Sequence, residues 1–139
     1  MDTPSDGWEA LGPHPIRFDP PDIVLCRPTG VVTVDDVRAG IAYMEKASRQ
    51  IGRGVYYIAD LTRLTRYAPS VAVQGFKGFR AGTLRASAMF GADLYQRAVA
   101  GMILRATRLL GLEIGRIPVE SFPDEASARA WIDELRRKG

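Results

Sequence analysis

Between Gly54 and Asp60 lies a strongly apolar run of β-branched, aromatic and small residues, Val55-Tyr56-Tyr57-Ile58-Ala59. Such a run reads as a central strand. Gly52-Arg53-Gly54 ends the segment before it, and further upstream Thr33 stands ahead of Val34-Asp35-Asp36. A hydroxyl cap followed by early acidic side chains satisfies the free amides of a helix start. Val34, Val37, Ile41, Met44 and Ile51 share one arc at about 100° per residue, so this helix turns one side to a core.

The remaining segments extend the alternation. Residues 1–14 carry Pro, Gly, Asp and Ser with isolated apolar positions and read as a flexible arm, pinned by Trp8 and Leu11, ahead of a domain over 15–139. Ile16-Arg17-Phe18 and Ile23-Val24-Leu25-Cys26 flank Asp19-Pro20-Pro21-Asp22, a turn composition, and predict a hairpin. Pro69 suits the first turn of a helix over Val71 to Arg85, weakened by Gly75, Gly78 and Gly82. Ser87-Ala88-Met89-Phe90 is a short strand, Ala92 to Leu110 a long helix stopped by Gly111, and Ile117 to Phe122 an edge strand because Pro118 lacks a donor. Asp124 opens a last helix with Ala128, Trp131, Ile132 and Leu135 inside. The order predicts one α/β domain, with a mostly parallel or mixed sheet of about five strands packed with about four helices.

Composition limits function more than it names it. The 139 residues suit a single domain, and 46% hydrophobic against 25% charged residues supplies a full core. One cysteine forms no internal disulfide and, with one histidine, no ordinary zinc cluster. The 19 Lys+Arg against 16 Asp+Glu leave a net charge of +3, too mild for the dense basic stripe of a nucleic-acid binder. No basic and apolar leader stands at Met1, and Arg97, Arg105 and Arg108 break the longest apolar stretches, so a cytoplasmic protein without a membrane span is expected.

No catalytic, cofactor-binding or metal-ligating set emerges. His14, between Pro13 and Pro15, is not held as a general base must be. Cys26, inside a strand, has no activating neighbour and reads as a small core or half-buried residue. Gly52-Arg53-Gly54 and Gly75-Phe76-Lys77-Gly78 lack a complete phosphate-loop fingerprint. Asp60 ends the central strand, where ligands of open α/β sheets gather. It also suits a purely structural role, accepting amides of the next turn. With Thr62, Arg63, Thr65, Arg66 and Ser70 it forms a candidate strand-end site. Gly91, ahead of the long helix, leaves amides and Arg97 for a small anion.

The long helix is the other candidate. At about 100° per residue, Tyr95, Val99, Met102, Ile103, Ala106, Leu109 and Leu110 form one stripe, expected to face the core. Arg97, Arg105 and Arg108 then surround Leu104 on the outer side as a solvated basic face or as a surface for a protein partner, a second copy or an anion.

Three stretches, Ile58-Ala59-Asp60-Leu61-Thr62-Arg63-Leu64, Phe90-Gly91-Ala92 with Gln96 to Ala106, and Phe122-Pro123-Asp124-Glu125-Ala126 with Ala128 to Ile132, occur in an order that resembles the STAS and anti-sigma-factor-antagonist-like family, in particular its small stand-alone bacterial proteins. The likeness covers roughly Pro15 to Arg137 and extends in outline to CRAL-TRIO lipid-binding domains. It implies a non-enzymatic regulatory or protein-interaction module. In that family a serine shortly after the third strand is phosphorylated. The matching place here is Arg66 or Tyr67, neither of them serine, while Thr65 and Ser70 lie near it. The rival readings are a carrier of small molecules or lipids and a small enzyme using Asp60. A large pocket would take packing from a small core, which ranks the carrier lower. An apolar void flanked by Phe76, Phe79 and the helix from Ala92 would reverse that order.

Overall fold

The computed structural model describes residues 7–139, with the side chains of residues 72 and 73 left aside. Eight strands are present among them: β1 (Glu9–Leu11), β2 (His14–Asp19), β3 (Ile23–Cys26), β4 (Gly30–Val32), β5 (Val55–Asp60), β6 (Leu64–Tyr67), β7 (Leu84–Phe90) and β8 (Val119–Phe122). Three α-helices accompany them: α1 (Val34–Ile51), α2 (Leu94–Leu109) and α3 (Glu125–Lys138). A six-stranded mixed sheet runs in the order β1-β2-β3-β5-β7-β8, and β4 pairs with β6 in a separate parallel ribbon. The expected hairpin is the antiparallel β2–β3 pair, and β3, β5, β7 and β8 are mutually parallel.

The strand and helix numbers correct the expected five and four. Most of the predicted helix from Val71 to Arg85 is irregular, with one π-helical turn at Val71–Gly75. A Cβ at Gly75 would lie 3.1 Å from Val37 of α1, so the glycine serves a close approach of backbone to helix rather than helix continuity. Residues 1–6 of the expected arm lie outside the described residues. Within the rest of it, Glu9–Leu11 forms β1 and pairs with β2, and Trp8 stacks with Arg17 and Arg27 at 5.1 and 4.7 Å.

Burial on both faces explains why β5 is apolar from Val55 to Ala59. Tyr56 and Ile58 point to one side with Ile23, Leu25, Ala86 and Ala88, where Ala128 and Ile132 of α3 cover them. Val55, together with Val24, Cys26 and Leu84, faces the opposite side against Ile41, Met44 and Ala47 of α1. The cap of α1 is reciprocal: Thr33 accepts from the Asp36 amide and Asp36 accepts from the Thr33 amide. Gly52 ends the helix at φ 76°, in the left-handed region, with its amide donating to Ser48.

The turn before β3 holds a carboxylate, Asp22, that no local pattern distinguishes from its neighbours. Asp22 is fully buried and accepts from Arg53 Nη1 at 3.0 Å, from Arg136 Nε at 3.2 Å and from Arg136 Nη2. It joins three segments: the β2–β3 turn, the α1–β5 loop and the end of α3. Burial alone would raise the pKa of this carboxyl, but hydrogen bonds and charge from Arg136 and Arg53 outweigh burial and hold it below the ordinary 3.8. A group whose pKa is depressed by folding contributes stability above its unfolded value and loses it as pH falls through the folded one. Asp22→Ala is therefore expected to lower unfolding stability at neutral pH by about 3 kcal/mol, measured by urea denaturation. That difference should shrink as pH drops below about 4.

Candidate functional site

Two places draw together side chains that the sequence marked. The first is the end of β5. Asp60 Oδ1 accepts from the Thr62 amide at 3.0 Å and from the Thr62 hydroxyl at 2.7 Å, while Oδ2 accepts from Arg27 Nε at 3.1 Å. Gly91 sits against this turn at φ +75°, and a Cβ there would fall 2.5 Å from Thr62 Cγ2. Both carboxylate oxygens are thus engaged in fixing where the chain leaves the sheet. Arg63, in the turn before β6, Thr65 and Arg66 on β6, and Ser70 after it are all exposed. Among the described residues no group of three or more His, Cys, Asp and Glu side chains is placed to hold a metal, and no helix is long and apolar enough to cross a membrane.

The second place is a cavity of about 200 Å³ between the sheet and α2. Its floor is the α1-facing side of the sheet, including Ile16, Cys26, Tyr57, Ser87 and Met89. Val37, Ile41 and Met44 of α1 form one wall, Phe76 and Ile114 contribute from the connections, and Ala100, Ile103, Leu104 and Thr107 of α2 form the roof. Phe79 lies buried in the adjoining core.

The roof corrects the expected orientation of α2. Tyr95, Met102, Leu109 and Leu110, expected inside, are 69%, 60%, 89% and 52% exposed. Leu104, expected outside among arginines, lines the cavity. Val99 and Ala106 are half-buried at the border. The helix is turned about a quarter of a revolution from the apolar stripe. Polar anchors set this rotation. Asp93 and Gln96 form a reciprocal cap, Gln96 Nε2 donates to the Leu64 carbonyl at 2.7 Å, and Arg108 Nε donates to the Gly115 carbonyl at 2.9 Å. Thr107 is buried because its hydroxyl donates to the Leu104 carbonyl at 2.7 Å. Of the proposed arginine surface, Arg97, Arg105 and Arg108 remain exposed and Leu104 leaves it.

The polar groups at the cavity wall are nearly all committed and uncharged. His14 is buried on β2, not loose in an arm; its Nδ1 accepts from the Thr29 amide at 3.0 Å, which puts the proton of the neutral ring on Nε2, 2.9 Å from Asp36 Oδ2. Asp36 is held below the ordinary carboxylate value: burial opposes this, and hydrogen bonds from Thr33 and His14 prevail. Burial pushes the Cys26 thiol up to about 11, although a hydrogen bond with Tyr57 and the Arg27 amide pull the other way. Burial, reinforced by the neighbouring Cys26, raises Tyr67 to about 12, and Tyr57 rises in the same direction for the same leading reason. Neither tyrosine is marked as a cavity residue by its sequence surroundings. Their signal was a phenol inside apolar strand runs, since a buried hydroxyl must find a polar partner.

No family model and no curated protein matches the sequence. Among solved structures, the unphosphorylated anti-sigma factor antagonist SpoIIAA superposes with a TM-score of 0.53 at 18% identity, covering 87% of this chain and 96% of that one. An uncharacterised protein of the DUF3478 family from Shewanella loihica PV-4, described as having a SpoIIAA-like fold, gives 0.56 at 19% identity, over 84% of this chain and 88% of its own. The chain therefore has the fold of anti-sigma-factor antagonists and STAS domains.

A thiol with so high a pKa carries almost no thiolate at neutral pH, and the thiolate is the reactive form. Iodoacetamide at pH 8 should leave Cys26 unmodified in the folded protein and alkylate it fully in urea, as read by intact mass.

Proposed function

We propose that this protein is a non-enzymatic module that takes up a small apolar molecule between its sheet and α2. The observation that carries the reading is the cavity itself: about 200 Å³, floored by strand side chains, flanked by Phe76 and roofed by the helix that begins at Leu94. It has the features that favour a carrier over a solid-cored interaction module. Size supports the same conclusion. An apolar void of roughly 150 Å³ in a protein core already accepts benzene, and apolar surface covered by a ligand gains on the order of 25 cal/mol per Å². Occupancy would return that contact energy to a small domain. The likeness to an anti-sigma factor antagonist favours a regulatory rather than a catalytic role for the module.

The probe for this reading is 1-naphthol, whose two fused rings suit the space. At 100 times its Kd it is expected to raise unfolding stability by about 2.7 kcal/mol through binding linkage. Ile103→Trp, which fills the roof side of the cavity, should remove that gain while the unliganded variant still unfolds cooperatively. Equal stabilisation of wild type and Ile103→Trp would place the probe elsewhere and defeat the reading.

A second reading rests on the outer side of the same helix. Tyr95, Met102 and Leu109 recur every seven residues as an exposed apolar line, with Arg97 and Arg105 exposed on the helix and joined by no ion pair to the described residues. This combination suits a protein partner whose contact surface sets carboxylates around an apolar centre. Met102→Glu with Leu109→Glu should abolish such an association without altering 1-naphthol binding. A partner retained equally by this variant, in pull-down from native extract at matched salt, would refute the surface.

A further inference from the structure

The walls of the cavity also restrict the charge of what it can hold, an inference that rests on the ligand-binding reading above. We infer that its ligand is an uncharged molecule, about the size of a two-ring aromatic, whose hydroxyl or carbonyl group meets Tyr67 and Ser87, and that carboxylate and phosphate ligands are rejected. The first support is what the lining lacks: among the described residues no lysine or arginine contributes to it, although the chain carries 19 of them. An anion entering would leave water without a cation to receive it, and burying an unpaired charge is far more costly than burying a hydrogen-bonded polar group.

The charged group that does line the cavity acts in the same direction. Asp36 is a carboxylate, so it repels anions. Its charge is already answered by the first turn of α1: Oδ2 accepts from the Thr33 amide and from His14 Nε2, both at 2.9 Å. His14 offers nothing further, because its second nitrogen is taken by the Thr29 amide. A cationic ligand would have to compete with these bonds for Asp36.

What is left over is neutral. Cys26 and Tyr57 both line the cavity, and burial favours the uncharged form of each. Tyr67 and Ser87 line the cavity, and no hydrogen bond joins the hydroxyl of either to another described residue. Ser87 stands opposite Tyr57 in the β5–β7 register, so it shares the floor with the Cys26–Tyr57 pair, and Tyr67 approaches that pair through Cys26. One side of the floor is therefore a cluster of neutral hydroxyl and thiol groups, and the rest is hydrocarbon. A hydroxyl can either donate or accept, so this cluster accommodates an alcohol, a phenol or a carbonyl.

The test is a matched series on the intact chain: 1-naphthol, 1-naphthoate and 1-naphthylmethylammonium, titrated by calorimetry at neutral pH, with amide shift changes locating the site. The expected result is binding of 1-naphthol at least about tenfold tighter than either ion, with shifts at Tyr57, Ser87 and Ile103. Naphthoate or the ammonium binding as tightly as naphthol at those residues would overturn the inference while leaving the cavity reading intact. Absence of binding by all three would overturn both. Tyr67→Phe should weaken 1-naphthol by about two- to tenfold and leave 1-methylnaphthalene unchanged. An unchanged naphthol affinity would remove Tyr67 as the recognising group.

Discussion

Everything in this fold follows from the need to cover β5 on both sides. A strand with no solvent side obliges the chain to provide a layer above and a layer below, and the two layers are built differently. On the α3 side, Ala86, Ala88 and Ala128 bring helix and sheet together, and Ile132 fills what remains. The guanidinium of Arg136 extends from the same helix to Asp22 and stacks 5.7 Å from the Tyr56 ring centre. On the α1 side the helix covers only part of the sheet. The remainder is roofed by α2, which packs chiefly against the π-helical turn and a 3-10 turn at Glu113–Arg116 rather than the strands. The cavity is the space between those two modes of cover.

The parts that were legible in the sequence are those governed by local rules. Thr33 and Asp36 announce the start of α1, Gly52 its end, and Ala128, Ile132 and Leu135 the inner side of α3, because caps and periodicity act within a few residues. The β2–β3 hairpin was readable for the same reason. Rotation of α2 was not. Its apolar positions spread over so much of the circumference that periodicity alone selects a stripe centred on Ala106, whereas bonds from Gln96 and Arg108 to distant carbonyls choose the arc containing Ala100, Leu104 and Thr107. The β4–β6 ribbon likewise depends on two short segments meeting across more than thirty residues of chain.

The candidate site was legible only in fragments. Asp60 was marked by its place at a strand end, and the structure supplies the partners, Thr62 and Arg27, that occupy its oxygens. Phe76 was named as one flank of a void. Tyr57, Tyr67, Ser87 and His14 come together from four strands or their ends, and no spacing within one segment could have joined them.

The β3–β5 pair carries an ion pair at each extremity, Asp22 with Arg53 at the start and Arg27 with Asp60 at the finish. Sliding one strand past the other by a single position would separate both pairs and carry Val24 and Cys26 from one side of the sheet to the other. The middle of the molecule therefore behaves as a ruler of fixed length. Insertions and deletions that preserve the protein are confined to its connecting segments, and any variety in what the cavity accommodates must come from side-chain exchange or from the helices, never from a shift of the strands beneath them.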